Sequence, residues 1–199
     1  SHDQLYQPDT LRQQTERMLS DPRAARFTEN FVGQWLRLRE IDFTTPDPIL
    51  YPEFDELLQI SMVKETELFF DELLKHDLSV LNFVDSDFTI LNERLARHYG
   101  ILGVKGQAFR RVELPAGSHR GGVLTHASVL KITANGTNTS PVPRGLWVLE
   151  NILGQPAPPP PAINAPTPVT APIGPATGKA TTAATPTAAP PMIFQTFII

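Results

Sequence analysis

Apolar residues recur at helical spacing through the first hundred residues of the chain. The first such group has steps of four, four and three, which predicts one face of a helix. It consists of Phe27, Phe31, Trp35 and Leu38. Asp21 and Pro22 precede it and are typical of a helix start. A shorter helix is predicted before it, over residues 10–19.

A longer helix is predicted over residues 53–76, after the proline-rich stretch TTPDPILYP, which predicts a loop. The acids Glu56, Glu67 and Asp71 are predicted to face solvent. The residues predicted on its buried side are Phe54, Leu57, Leu58, Leu68, Phe69 and Leu73.

The stretch VDSDFTILNERLARHYG is predicted to form one continuous helix. Asp85 or Asp87 is the predicted N-cap, and Gly100 ends the pattern. The predicted apolar stripe of this helix consists of Phe88, Leu91, Leu95 and Tyr99.

The pattern changes after Gly100. AFRRVEL could form a strand, whereas GGVLTHASVLKIT allows either a helix entered from a glycine turn or a strand. Asn135-Gly136 indicates a turn. In SPVPRGLWVLENILG, Ser140 is the predicted N-cap, and Gly154 ends the helix. Its predicted buried face consists of Val142, Leu146, Leu149 and Leu153.

Composition excludes several classes of function. The chain has 17 Lys and Arg against 21 Asp and Glu, with no basic cluster, which argues against nucleic-acid binding. No apolar stretch is long enough to predict a membrane span. The absence of cysteine excludes disulfides, thiolate metal sites and covalently attached haem c in this sequence.

The candidate chemistry lies in HRGGVLTH, residues 119–126. His119 and His126 are candidate ligands for a non-covalently held haem. A metal site needs three or four ligands, and no acid lies within five residues of either histidine. The competing interpretation makes His119 a loop residue and His126 a partly buried, hydrogen-bonded one.

No other constellation predicts a site. Glu72 and His76 are four residues apart, not three as in a di-iron helix pair. They lie instead among the ion pairs expected of a solvated face, Lys64 with Glu67 and Glu72 with Lys75. No catalytic residue and no metal site is predicted, and whether the chain is an enzyme stays open.

Four segments resemble a known family: FVGQWLRLREIDF, YPEFDELLQISMVKETELFF, VLNFVDSDFTILNERLARHYGI and HRGGVLTHASVLKITANGTNTSPVPRGLWVLENILG. They are similar to exported planctomycete proteins that carry domains of unknown function 1592 and 1588, often alongside cytochrome c domains. The resemblance implies a mainly α fold. It places a helical bundle-like module at residues 1–103 and an incomplete α(+β) cytochrome-like module at 104–161. A Pro/Thr/Ala-rich tail at 162–199 is predicted to be disordered.

The resemblance also implies where this chain departs from complete relatives. Those relatives continue past the proline run into a Cys-x-x-Cys-His haem attachment motif, and this sequence does not. Haem c is therefore expected in the relatives, and no cofactor is expected in this chain. Truncation or a reading-frame shift would explain the tail. HRGGVLTH is then expected to form a glycine turn that enters a helix.

Three functions follow from these observations. The first is a structural or interaction module of an exported, periplasmic or otherwise extracytoplasmic protein, with other domains or a redox partner as its contacts. The second is an electron-transfer cytochrome whose haem-binding segment is missing. The third is a hydrolase or oxidoreductase domain, which a strongly perturbed acid or histidine in a deep pocket would favour.

Overall fold

The computed structural model describes residues 6–115, 117–156 and 158. Over this part of the chain the structure is mainly α-helical, as predicted. The helices are α1 (Pro8–Leu19), α2 (Ala24–Trp35), α3 (Glu56–Lys75), α4 (Glu93–Tyr99), α5 (Ala127–Ile132) and α6 (Pro141–Trp147). The strands β1 (Phe88–Leu91) and β2 (Arg110–Glu113) pair antiparallel. The predicted tail, 162–199, lies outside the described residues.

The central element is α3, which confirms the predicted long helix. It begins after Asp55, whose carboxylate accepts a hydrogen bond from the Leu58 backbone N–H at 2.6 Å. Leu57 is exposed, contrary to the prediction. The buried side consists of Leu58, Ser61, Met62, Glu65, Thr66, Phe69 and Leu73. Polar residues therefore share the inward face of this helix with apolar ones.

Helix α2 is present, but its buried face differs from the predicted one. Val32 is completely buried, whereas Phe27 and Phe31 keep 51% and 42% of their surface exposed. The Phe27 and Phe31 rings stack on each other, and Phe31 lies against Trp35 with ring centroids 5.6 Å apart. Leu38, just beyond α2, is buried as predicted, whereas the three aromatic residues of the predicted face form a row that is only partly covered.

The helix predicted over VDSDFTILNERLARHYG is wrong in its first half. Residues Phe88–Leu91 form β1, in which Phe88 pairs with Glu113, and all four residues are buried. Neither Asp85 nor Asp87 caps a helix. Asn92 caps α4 instead, with its side-chain oxygen accepting the Leu95 N–H at 2.9 Å, and Gly100 ends α4 as predicted. Strand pairing with β2 overrides the helical spacing here.

The helical alternative for GGVLTHASVLKIT is confirmed. Gly122 has a positive φ of 67° and leads into a 3₁₀ turn, Val123–Thr125, which is followed by α5. The predicted strand at AFRRVEL is β2, and the predicted turn at Asn135-Gly136 is also present.

Helix α6 faces the opposite way from the prediction. It continues into a π-helical turn, Val148–Ile152, and ends before Gly154. The predicted face points outward, with Val142 exposed over 72% of its surface. Trp147 is buried instead, and its indole N–H donates to the Leu36 carbonyl at 3.3 Å. Ser140 makes no side-chain cap bond.

The proline-rich loop before α3 is held by a buried lysine from α5. The Lys131 ammonium donates to the carbonyl oxygens of Ile41 and, at 2.8 Å, Thr44. Burial lowers the pKa of Lys131. The Asp47 N–H donates to the Gly136 carbonyl at 3.0 Å, so the loop is fastened at two points.

The hydrophobic core draws on both predicted modules. Its main cluster combines residues from the first hundred positions with residues after 120: Val32, Leu36, Leu38, Phe69, Leu73, Phe88, Ile90, Val123, Val129 and Trp147. A second cluster joins Leu58, Met62, Leu91, Leu95, Ala96 and Ala127. The segment after 120 therefore packs on the helices that precede it. The boundaries at 103 and 161 stay predictions.

The surface carries ordinary ion pairs. Lys64 contacts Glu67 at 2.6 Å, as predicted. Lys75 contacts Asp71 at 2.5 Å and not Glu72. Among the described residues, no helix is both long and apolar enough to cross a bilayer.

Asn92 is expected to matter for stability, because its side chain serves two elements. It caps α4, and its amide N–H donates to the Ser61 hydroxyl on α3 at 2.9 Å. Asn92→Ala should lower the free energy of unfolding by about 2 kcal/mol in urea denaturation. Asn30→Ala, on the exposed side of α2, is the control and should stay within about 0.5 kcal/mol. Equal losses in the two variants would contradict this role.

Candidate functional site

The HRGGVLTH segment lies directly against the loop between α3 and β1. A Cβ on Gly122 would lie 2.5 Å from the Phe83 carbonyl oxygen, and one on Gly121 would lie 2.8 Å from that of Ser86. Real Cβ atoms do not come this close to backbone, so the glycine pair permits the approach. His119 lies exposed at the start of the segment, and His126 is buried at its end.

The segment closes over a buried carboxyl group on α3. The Glu65 side chain is completely buried, and its Oε1 accepts a hydrogen bond from the Thr89 hydroxyl on β1 at 2.7 Å. Its Oε2 accepts one from the Tyr99 hydroxyl on α4 at 2.5 Å. The Tyr99 oxygen in turn accepts the Ala127 N–H from α5 at 2.8 Å. Four elements thus meet at one carboxyl group.

Arg120 supplies the positive charge at this site. Its guanidinium carbon lies 3.7 Å from the centre of the Tyr99 ring, which is cation–π geometry. Its Nη1 donates to the Thr125 carbonyl at 3.0 Å, and the Thr125 hydroxyl accepts the Gly121 N–H. The glycine turn and the arginine therefore support each other.

His126 belongs to a second chain of polar groups beside the first. Its Nδ1 lies 2.9 Å from the Thr66 hydroxyl, which also contacts the Ser128 hydroxyl at 2.7 Å. Its Nε2 is buried and has no hydrogen-bond partner among the described residues. The ring stands edge-on to Phe69, with centroids 5.0 Å apart.

Burial dominates the electrostatics of these groups. Desolvation raises the pKa of Glu65 to about 7, although the hydrogen bonds from Tyr99 and Thr89 oppose the shift. Burial and the neighbouring Glu65 raise the pKa of Tyr99 well above its ordinary range. Burial, with a smaller contribution from Arg120, lowers the pKa of His126 to about 3. Near neutral pH the histidine is uncharged, and the carboxyl group is half titrated.

The space at this site is small. The cavity beside Glu65 and His126 has a volume of about 10 Å³, which is room for one water molecule. Leu114 and Arg120 line both this cavity and a wider cleft of about 420 Å³ outside it. The perturbed acid and histidine therefore lie in a closed polar core, and a substrate has no room beside them in this conformation.

The space around His126 does not suit a haem. His126 is enclosed by protein, and the adjoining cavity is far smaller than a porphyrin. His119 lies on an exposed loop.

The structure also gives no support to a metal site at Glu72 and His76. A Glu72 carboxylate oxygen lies 3.5 Å from His76 Nδ1, and the pair lies at the surface. Across the described ranges, no three His, Asp or Glu side chains are grouped closely enough to hold a metal ion.

The sequence did not single out Glu65 or Tyr99 as site residues. Tyr99 falls on a predicted apolar stripe, and none of the constellations considered in the sequence includes Glu65. One signal could have found Glu65. It follows Met62 by three residues and precedes Phe69 by four, which places it on the inward face of α3.

Glu65 and His126 should make opposite contributions to the pH dependence of the free energy of unfolding. These contributions cancel in the wild type, and substitution of either residue should reveal the other. Glu65 has an ordinary pKa of 4.5 and a pKa of about 7 in the fold, so the stability it contributes is lost as pH rises from 4.5 to 7. His126 has an ordinary pKa of 6.5 and a pKa of about 3 in the fold, so the stability it contributes is lost as pH falls from 6.5 to 3. Between pH 4.5 and 6.5 the two slopes oppose each other.

The measurement is the free energy of unfolding of wild type, Glu65→Gln and His126→Asn at pH 4.5 to 6.5. The difference between wild type and Glu65→Gln should fall with pH by about 1.4 kcal/mol per unit. The difference between wild type and His126→Asn should rise by a similar amount. If both differences in free energy of unfolding were independent of pH, the burial of Glu65 and His126 in their uncharged forms would be contradicted.

Comparison with known families matches two separate regions of the chain to family models. Residues 1–101 match the family model described as a protein of unknown function (DUF1592), and residues 120–189 match that described as a protein of unknown function (DUF1588). The two domains identified by resemblance are thus confirmed, and the second match extends past residue 161. No curated protein and no solved structure matches the chain. Since the first match spans more than half of the 199 residues, the chain belongs to the DUF1592 family of proteins of unknown function.

Proposed function

We propose that this chain is a non-catalytic structural and interaction module, in which the start of the DUF1588 region is docked on the DUF1592 region. The observation that carries the proposal is the closure of HRGGVLTH over Glu65. Arg120 and Ala127 come from the second region and bond or stack with Tyr99 of the first.

Apolar packing supports the same proposal. Val123 and Val129 are completely buried in a cluster with Val32 and Phe69. The Trp35 indole N–H donates to the Asn151 carbonyl at 2.6 Å, and this contact again joins the two regions. Contacts of this kind are those of a domain interior, where burial of apolar surface supplies most of the stability.

The enclosed position of the perturbed groups favours this function over an enzyme. Catalytic acids are tuned by burial in the same way as Glu65, but they line a pocket that admits substrate. The cavity at Glu65 has a volume of about 10 Å³. The partner we propose is another domain of the same larger protein. We further propose, from the family resemblance alone, that this larger protein is extracytoplasmic.

The two regions are expected to unfold together. Trp147→Phe leaves Trp35 as the fluorescent reporter of the first region, and Trp35→Phe leaves Trp147 as that of the second. Within each variant, the urea midpoint from tryptophan fluorescence should coincide with that from far-ultraviolet circular dichroism. A fluorescence transition separated from the loss of helix in either variant would contradict docking.

Haem titration tests the competing electron-transfer function. The full chain is titrated with haemin, and absorbance in the Soret region is followed. No saturable shift is expected, because His126 is enclosed and the cavity beside it has a volume of only about 10 Å³. A shift that saturates near one equivalent would contradict the structural-module proposal. Its loss in His119→Ala would identify the exposed His119 as the ligand, and its survival there would point to His126.

A further inference from the structure

We propose that the Glu65 cluster is a protonation-controlled joint: a proton on Glu65 keeps residues 119–126 closed over α3 and α4, and loss of that proton loosens them. This inference rests on the proposed docking of the two regions. It adds a condition under which the docking weakens.

The first step of the argument is that no ion pair neutralises Glu65. Its two oxygens accept hydrogen bonds from the neutral hydroxyls of Thr89 and Tyr99. Arg120 stacks on the Tyr99 ring and forms no ion pair with Glu65 within 4.0 Å. An ionised Glu65 would therefore be a buried charge held only by neutral donors, which is costly.

Among the groups that face Glu65 from the neighbouring elements, Arg120 is the one that carries a charge and can move when Glu65 loses its proton. Strand β1 presents the Thr89 hydroxyl, and α4 presents Tyr99. The 119–126 segment presents Arg120 and His126, and α5 presents the Ala127 N–H. His126 stays neutral above pH 6.5, since its pKa in the fold is about 3. Tyr99 also stays neutral, since its pKa is raised.

The outer cleft provides a route for the response. Leu114 and Arg120 separate it from the cavity beside Glu65, and Asp85, Asp87 and Ser118 are among the residues that line it. A carboxylate at Glu65 attracts the guanidinium away from the Tyr99 ring or draws water in past it. Both responses shift Arg120 from its place in the closed segment.

Movement of Arg120 affects the whole glycine turn. It breaks the bond from Arg120 Nη1 to the Thr125 carbonyl, and the Thr125 hydroxyl holds the N–H of Gly121 and donates to the carbonyl of Gly122. Burial places the pKa of Glu65 at about 7, so this loosening develops as pH rises from 4.5 to 7 and is complete above it.

The test is amide hydrogen exchange of residues 119–126 in the full chain from pH 5 to 8.5, corrected for the intrinsic rate. The opening constant of wild type, divided by that of Glu65→Gln, should rise about tenfold per pH unit up to pH 7 and level off above it. Below pH 7 opening releases a proton from Glu65, whereas above pH 7 Glu65 is ionised in both states. Division by the value for Glu65→Gln removes the opposing contribution of His126. Glu56→Gln, at the start of the same helix, is the matched control and should keep the wild-type profile.

A second variant covers the case in which Glu65→Gln does not fold. Tyr99→Phe removes a donor that lowers the pKa of Glu65, so its opening constant should keep rising above pH 7, where that of wild type levels off. The ¹³C shift of the Glu65 carboxyl carbon reports the titration directly and should move in the same direction.

Two outcomes would overturn the joint: a ratio of wild-type to Glu65→Gln opening constants that is flat between pH 5 and 7, or an opening constant in Tyr99→Phe that levels off at the same pH as in wild type. These results are separable from failure of the proposed function. A flat ratio together with coincident tryptophan and circular dichroism transitions removes only the proton dependence. Separated transitions remove the docking itself.

Discussion

The desolvation of one carboxyl group constrains much of this structure. Glu65 sits on the inward face of a central helix, where an apolar residue would pack at lower cost. Its burial is tolerable only because two hydroxyl groups reach its oxygens. Those hydroxyls fix where β1 and α4 must lie. The Tyr99 oxygen then fixes the start of α5 through the Ala127 N–H.

The glycine pair is the steric counterpart of this polar constraint. The segment after residue 119 must pass the backbone of residues 83–86 closely enough for Arg120 to stack on Tyr99. Only glycine fits the distances measured at 121 and 122. The Arg120 charge, the Tyr99 ring and the glycine turn therefore depend on one another, and a substitution in one of them should displace the other two.

Much of the helical layout could be predicted from the sequence, because helical spacing and helix-ending glycines are local signals. Gly100 ends α4 where the pattern placed the end of the helix. The N-caps were not predicted correctly, since Asn92 and not Asp85 or Asp87 caps α4, and Ser140 makes no cap bond. The strand at Phe88–Leu91 could not be predicted in this way, since its partner lies some twenty residues further on. The polar core was missed for the same reason. Glu65, Tyr99 and Arg120 form a site only when segments that are distant in the sequence pack together.

The π-helical turn after Trp147 has a consequence for changes in chain length. Such a turn accommodates one residue more than a regular helical turn, which rotates everything beyond it by roughly 100°. Here Trp147 before the turn is buried in the main core cluster, and Ile152 at the end of the turn packs against the same cluster. A homologue lacking one residue between 148 and 152 would therefore turn one of these two side chains away from the core. Insertions and deletions at this point exchange buried and exposed faces, so they alter the surface more than most point substitutions would.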